Sequence, residues 1–223
     1  MQPFQSPVVI GDYEVHVVVS EPPYFQNCYV VKHVPSGRQA VVDPGDAADR
    51  IIARVTENGG VDTVDAILLT HGHPDHIAGL ARVAAETGAP VLAQDNERPI
   101  LDGAGQWGQM LLGRPLDVPE ITWFSDEPTH TVAGADVATV ATPGHTPGGV
   151  CFVFPGFALT GDTLFQGGVG RTDFPGGSQP TLVRSITRFL EKVPGETVLF
   201  SGHGGHWTAR EARRWWKVMA GAM

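Results

Sequence analysis

A chain of 223 residues is long enough to bury a large hydrophobic core, and its formal net charge of −9 argues against a nucleic-acid-binding surface. No apolar run approaches the length of a membrane span, and the N-terminus lacks the basic and apolar segments of a signal peptide. We therefore expect a single domain over residues 1–223, a cytoplasmic location, and neither a membrane nor a nucleic-acid partner.

The first half of the chain alternates between strand-like and helix-like patterns. Residues 1–12 are polar and contain proline, which predicts a loose N-terminal arm. Strands are predicted at 13–20, 27–32, 38–43, 64–70 and 90–93, and helices at 46–58 and 76–87. Residues 97–120 scatter Gly, Pro and Asp around Trp107, and two interpretations stay open. They form either a loop with one short helix or a lid that lines a substrate site.

The second half repeats the alternation without a linker. Strands are predicted at 121–124, 136–141, 150–154, 157–160 and 197–200, and helices at 179–192 and 208–218. Cys28 and Cys151 each lie in an apolar, strand-like segment, which predicts two buried thiols and no disulfide. These periodicities by themselves predict an α/β protein with an antiparallel or mixed sheet.

The most informative stretch is THGHPDH at residues 70–76, which directly follows the apolar run AILL. It places His71, His73, Asp75 and His76 at the carboxyl end of a buried strand, where α/β sheets place their sites. His71 and His73 are two residues apart, so an extended backbone turns both rings to one side. Imidazole and carboxylate are ligands that suit Zn²⁺, Fe²⁺ or Mn²⁺. The stretch therefore predicts a metal site.

The spacing His71-x-His73-x-Asp75-His76 resembles the metal-binding motif of the metallo-β-lactamase-fold hydrolases. Three further motif residues of that family follow in order: His145 within TPGHTPGG, Asp162 within LTGDTLF and His203 within SGHG. The segment GRTDFPGG at 170–177 is similar to the short bacterial type II glyoxalases. The resemblance covers about residues 27–211. It implies a four-layer αββα sandwich, built from two similar halves in one domain.

The same resemblance implies a site for two divalent metal ions, with Zn²⁺ as the first choice and Fe²⁺ or Mn²⁺ as alternatives. One ion would be held by His71, His73 and His145, the other by Asp75, His76 and His203, and Asp162 would be shared. Asp75 is also the candidate catalytic residue. Two such ions would activate a bridging water, because the pKa of bound water falls toward about 7.

The implied activity is hydrolysis of a small-molecule thioester, in which an S-2-hydroxyacyl thiol and water give a 2-hydroxy acid and the free thiol. Two alternatives stay open. A persulfide dioxygenase of the same fold would bind one Fe²⁺ through His71, His145 and Asp162, the two-histidine, one-carboxylate set of iron oxygenases. A non-catalytic metal-binding scaffold is disfavoured, because no ligand position has been lost.

Five further residues are candidates for supporting roles. Arg171 either contacts a substrate carboxylate or forms an ion pair with Asp173 that holds its loop. Tyr24 and Phe25, at the tip of a predicted turn, are candidates for a wall of the substrate pocket. Asp43 ends a predicted strand before Pro-Gly, so it is either an acceptor for a ligand N–H or a turn residue.

Overall fold

In the computed structural model, which describes residues 6–221, the strands form two large sheets and one small hairpin. The first sheet has seven strands in sequence order: β1 (Val8–Ile10), β2 (Tyr13–Val19), β3 (Asn27–His33), β4 (Gln39–Val42), β5 (Val64–Leu68), β6 (Val91–Gln94) and β7 (Ile121–Phe124). The second contains β8 (Thr129–Val132), β9 (Ala135–Ala141), β10 (Val150–Phe154), β11 (Phe157–Gly161), β14 (Val198–Ser201) and β15 (His206–Thr208). The hairpin pairs β12 (Leu164–Phe165) with β13 (Gly168–Val169).

Helices pack on the outer face of each sheet. Against the first sheet lie α1 (Ala48–Glu57), α2 (Pro74–Ile77), α3 (Leu80–Thr87), α4 (Arg98–Asp102) and α5 (Ala104–Leu112). Against the second lie α6 (Gln179–Lys192) and α7 (Ala209–Met219). None of the helices between residues 6 and 221 has the length and hydropathy needed to cross a bilayer.

The two sheets share one connection order. In the first, β1 to β4 are antiparallel neighbours, and α1 then leads to β5, which is parallel to β4. In the second, β8 to β11 are antiparallel neighbours, and α6 leads to β14, which is parallel to β11. Parallel neighbours need such a crossover connection. The two similar halves predicted from the resemblance are therefore confirmed.

Alternation along the central strands produces three cores between four layers. In β3, Tyr29 and Val31 face the second sheet, while Cys28 and Val30 face the helices. The inner core between the sheets also contains Val42, Leu68, Phe152, Phe157, Leu159 and Phe200. The outer cores bury Ile51, Val55, Leu80 and Val83 on one side and Leu182, Ile186, Phe189 and Trp216 on the other. The predicted four-layer αββα sandwich is confirmed.

The apolar spacing of α6 shows how a helix is fixed to its sheet. Leu182, Ile186, Phe189 and Leu190 recur at three- and four-residue intervals and are all buried. Burying one such side chain stabilises the fold by about 1.5–3 kcal/mol. Cys151 of β10 lies in the same outer core, and both cysteines are buried and free, as predicted.

Three predictions about local structure are wrong. Within the predicted loose arm, Val8–Ile10 is a strand paired with β2; residues 1–5 of that arm lie outside the described part of the chain. The helix predicted at 76–87 is broken, because the N–H of Gly79 donates to the carbonyl of Pro44 and α3 starts again at Leu80. Of the two interpretations of residues 97–120, the loop with one short helix is wrong, because this segment contains two helices, α4 and α5.

The connection order brings four strand ends to one edge. Asp43 follows β4 and the stretch 70–76 follows β5, while Asp162 follows β11 and His203 lies two residues after β14. In each sheet these are the carboxyl ends of two parallel neighbours. The turn between β9 and β10 adds His145. The fold therefore gathers these side chains at one edge between the sheets.

Candidate metal centre

All seven side chains predicted as ligands converge at this edge. Two groups have ligand atoms within 4.8 Å of one another: His71, His73 and His145 form one, and Asp75, His76 and His203 form the other. Asp162 lies between the groups. Its Oδ2 is 3.6 Å from Nε2 of His145 and 3.5 Å from Nε2 of His203. This is the division that the resemblance implies.

Several buried atoms at the centre have no protein partner. Nε2 of His71, Nε2 of His76 and Oδ1 of Asp162 make no hydrogen bond to any described residue. Nε2 of His76 is 3.2 Å from Oδ1 of Asp162, yet the geometry is not that of a hydrogen bond. Buried polar atoms without partners are costly and uncommon. Their convergence fits a donor set for divalent metal ions.

The outward-facing nitrogens of two histidines are fixed by side chains that follow two strands of the first sheet. Nδ1 of His76 is 2.9 Å from Oδ2 of Asp43, and Nδ1 of His71 is 3.1 Å from Oγ1 of Thr70. Thr70 in turn donates its hydroxyl and its backbone N–H to Asp43. Both rings therefore direct Nε2 to the centre, as a ligand with a fixed tautomer requires.

Backbone carbonyls orient two other histidines. Nδ1 of His145 donates to the carbonyl of Arg171 across 2.6 Å, and Nδ1 of His203 donates to the carbonyl of Tyr24 across 3.0 Å. These bonds point both Nε2 atoms toward Asp162, so that each could bind a metal ion when its ring is neutral. His73 instead presents Nδ1, which lies 2.8 Å from Nε2 of His145. Motif spacing does not reveal carbonyl partners, because any residue can supply one.

Electrostatics divides the side chains into neutral and charged members. Burial, reinforced by the neighbouring imidazoles, lowers the pKa of His71 well below 6.5 and that of His73 to about 3. Both rings are therefore neutral at physiological pH, which is the form that binds a metal ion.

The other group is charged in the metal-free protein. Burial lowers the pKa of His203, but its contacts with Asp162 and Asp75 raise the pKa by more. The pKa of His203 is therefore about 9. Burial likewise opposes protonation of His76, but the same two carboxylates raise its pKa well above 6.5. Burial would raise the pKa of Asp162 and of Asp75, yet the charge of His76 lowers both.

The four predicted substrate contacts lie around the rim. Arg171 forms two hydrogen bonds with the carboxylate of Asp173, of 2.6 and 2.7 Å. Of the two roles considered for Arg171, this is the ion pair that holds its loop. Tyr24 donates its hydroxyl to the carbonyl of Leu111 and is thereby tied to α5. Phe25 is 55% exposed. A role of these residues in substrate binding stays a prediction.

An aromatic wall, formed by Trp107 and Phe174, stands beside His73. The ring centroids of Trp107 and Phe174 are 5.3 Å apart, and they lie 6.5 and 5.5 Å from that of His73. The guanidinium of Arg171 covers the Phe174 ring at 3.8 Å. Of the two interpretations of residues 97–120, this placement favours a segment that lines the site.

Comparisons with known proteins agree with this geometry. Residues 22–203 match the profile of the Metallo-beta-lactamase superfamily. Hydroxyacylglutathione hydrolase GloC of Haemophilus influenzae is 33% identical over 196 residues, which cover 85% of this chain and 90% of that protein.

Two solved structures are also similar to this chain. BLEG-1 B3 metallo-beta-lactamase superposes with a TM-score of 0.81 at 29% identity, covering 91% of this chain and 96% of that one. TTHA1623, solved in a di-iron-bound form, superposes with a TM-score of 0.78 at 31% identity, covering 90% of this chain and 98% of that one. The protein therefore belongs to the metallo-beta-lactamase superfamily.

Proposed function

We propose that this protein is a metal-dependent hydrolase that cleaves a small-molecule thioester, an S-2-hydroxyacyl thiol, to a 2-hydroxy acid and the free thiol. The observation that carries the proposal is the pair of three-residue donor groups with Asp162 between them. Such a set fits two divalent ions, with Zn²⁺ as the first choice and Fe²⁺ or Mn²⁺ as alternatives. The similarity to GloC supports the thioester.

Two bound ions would supply a Lewis acid for the thioester carbonyl and lower the pKa of the attacking water. The chain's own residues hold and orient this centre. His71, His73 and His145 would hold one ion, and Asp75, His76 and His203 the other, with Asp162 shared.

Asp75 is the proposed catalytic residue. Its side chain is 15% exposed and borders a cavity of about 150 Å³ that is also lined by Tyr24 and Leu111. Its Oδ2 lies 3.2 Å from Nε2 of His203. In this position the carboxylate can accept the proton that the attacking water loses. A thiolate then leaves from the acyl carbon without needing a strong general acid, because thiols are more acidic than alcohols.

The persulfide dioxygenase alternative would use His71, His145 and Asp162 alone. It gives no role to the second donor group, whose residues are buried or half-buried and in contact with one another. The geometry therefore favours the hydrolase.

The deciding experiment measures metal content, thioester cleavage and O₂ uptake on the same preparations. We expect the parent protein to bind two ions and to cleave S-lactoyl thiols. His76→Ala should lower that activity by about 10²-fold or more, since it removes one side of the two-ion centre. His33→Ala is the control, because His33 contacts Ser36 on the exposed surface. A parent protein that consumes O₂ with glutathione persulfide and leaves thioesters intact would overturn the proposal.

A further inference from the structure

Glu97 is a buried carboxylate near the metal centre that the proposed reaction does not use. It ends the short 3₁₀ turn Asp95–Glu97 between β6 and α4, and only 1% of its surface is exposed. Burial raises its pKa to about 7, although hydrogen bonds from the backbone oppose the shift. Since a buried carboxylate is costly, its bonding partners indicate what it does.

The two carboxylate oxygens of Glu97 bind two different loops. Oε1 accepts the backbone N–H of Gly72 across 2.9 Å, and Oε2 accepts that of Gly148 across 2.8 Å. Gly72 lies between His71 and His73, and Gly148 lies three residues after His145. One side chain therefore joins the two backbone segments that carry the first donor group.

The lack of a side chain at both glycines permits this arrangement. A Cβ at position 72 would lie 2.9 Å from Cδ2 of Leu101, and a Cβ at position 148 would lie 2.4 Å from the backbone N of Glu97. Both loops therefore pack directly on the segment that begins at Glu97. A side chain at position 72 or 148 would push that loop away from the carboxylate of Glu97.

We propose that Glu97 is a positioning residue that sets the spacing between the two loops supplying His71, His73 and His145. Two directed bonds to backbone N–H groups fix both loops relative to one point. Among the described residues, Glu97 forms no hydrogen bond or ion pair with Asp75, His76 or His203, and its two bonds lie next to members of the first group, so its effect falls mainly on the first ion. The inference rests on the proposed metal centre and not on the substrate or the reaction.

The test is a Co²⁺ titration of the metal-free protein, followed by visible absorption and by competition with a chelator. Glu97→Gln keeps the volume of the side chain and one acceptor, but its amide N–H₂ faces the second backbone N–H. We expect one of the two ions to bind about 10–100-fold more weakly, as for other residues that orient ligands, and the other to bind with parental affinity. Glu97→Ala should have the larger effect.

Glu127→Gln is the matched control. Glu127 also accepts a backbone N–H, that of Ala141, across 3.0 Å, and it pairs with Lys192. Its loss should leave both Co²⁺ affinities at the parental values. If Glu97→Gln lowers both affinities equally and lowers the melting temperature in parallel, Glu97 has only a structural role and the inference fails.

A double-variant comparison locates the effect. In a His71→Ala background the first group is already disrupted, so Glu97→Gln should not change the affinity of the remaining ion. In a His203→Ala background the first group is intact, and Glu97→Gln should still weaken binding by about 10–100-fold. The reverse pattern would overturn the inference.

The outcomes also separate this inference from the proposed function. A parent protein that binds no Co²⁺ would defeat the proposed metal centre. A parent that binds two ions, together with a Glu97→Gln variant of parental affinity at both, would defeat only the role of Glu97. If Glu97→Ala does not fold, Glu97→Gln decides, because it preserves the packing.

Discussion

Oδ2 of Asp43 accepts the Nδ1–H of His76 across 2.9 Å, and both side chains are almost completely buried. The same carboxylate accepts the backbone N–H and the hydroxyl of Thr70, at 2.7 and 2.5 Å. Asp43 has a positive φ of 51°, which Asp and Asn tolerate better than most residues. Of the two roles considered for Asp43, the structure shows the acceptor for a ligand N–H.

Asp43→Asn should weaken metal binding while the protein still folds. Asn tolerates the same φ. Its amide has only one acceptor oxygen, however, whereas both oxygens of the carboxylate are used to accept three hydrogen bonds. We expect a loss of about 10–100-fold in metal affinity or activity. Metal competition assays on the purified variant measure it. Asp65→Asn is the control, because Asp65 pairs with Arg38 and the N–H of Ala133. Parental metal affinity in Asp43→Asn would show that the bond does not orient His76.

Metal binding should release protons. In the metal-free protein, His203 has a pKa of about 9 and His76 has a pKa well above 6.5, so both rings are protonated near neutral pH. A metal ion needs the neutral rings, and about two protons must therefore leave at pH 7–8. The apparent metal affinity should therefore rise with pH between neutrality and about 9, because His203 loses its proton in the metal-free protein over this range.

Calorimetric titrations in buffers of different protonation enthalpy count the released protons. His203→Ala should release about one proton fewer than the parent, because one protonated ring is gone. Equal heats in all buffers at pH 7.5 would show that the rings are neutral before the ion binds.

The aromatic wall should affect substrate binding more than chemistry. Trp107 stands beside His73 and packs at a tilted angle against Phe174, but it contributes no ligand atom. Trp107→Ala should raise KM by about tenfold, equivalent to about 1.4 kcal/mol, with kcat nearly unchanged, since the lost contact serves ground and transition states alike. Trp215→Ala is the control, because Trp215 packs on Trp207. An unchanged KM in Trp107→Ala would show that the aromatic wall does not line the substrate pocket.

The side chain of Arg171 should matter little for catalysis. Its charge is paired with Asp173 at the surface. His145 is held by the backbone carbonyl of Arg171, and a substitution of the side chain keeps this carbonyl as long as the loop keeps its conformation. Arg171→Ala should therefore keep kcat/KM within about threefold of the parent, as for most surface ion pairs. A large rise in KM for acidic substrates alone would instead restore Arg171 as a substrate contact.

Local sequence patterns predicted the candidate ligand set and the order of most elements. A metal-binding motif is recognised from a few residue types at short spacings, as in His71-x-His73. A strand that is buried on both faces, such as Asn27–His33, is recognised from its short apolar run. The predicted helix at 179–192 matches Gln179–Lys192 because its apolar spacing is regular and long.

The contacts that hold the candidate ligands in place depend on the tertiary structure. The carbonyls of Tyr24 and Arg171 orient His203 and His145 from positions 179 and 26 residues away, and a carbonyl leaves no mark in the sequence. Glu97 could not be distinguished from a solvated surface residue until the chain folded around it. The break before α3 likewise depends on Pro44, whose carbonyl takes the N–H of Gly79. Local patterns record residue type and period, whereas these contacts join segments that meet only when both sheets are packed.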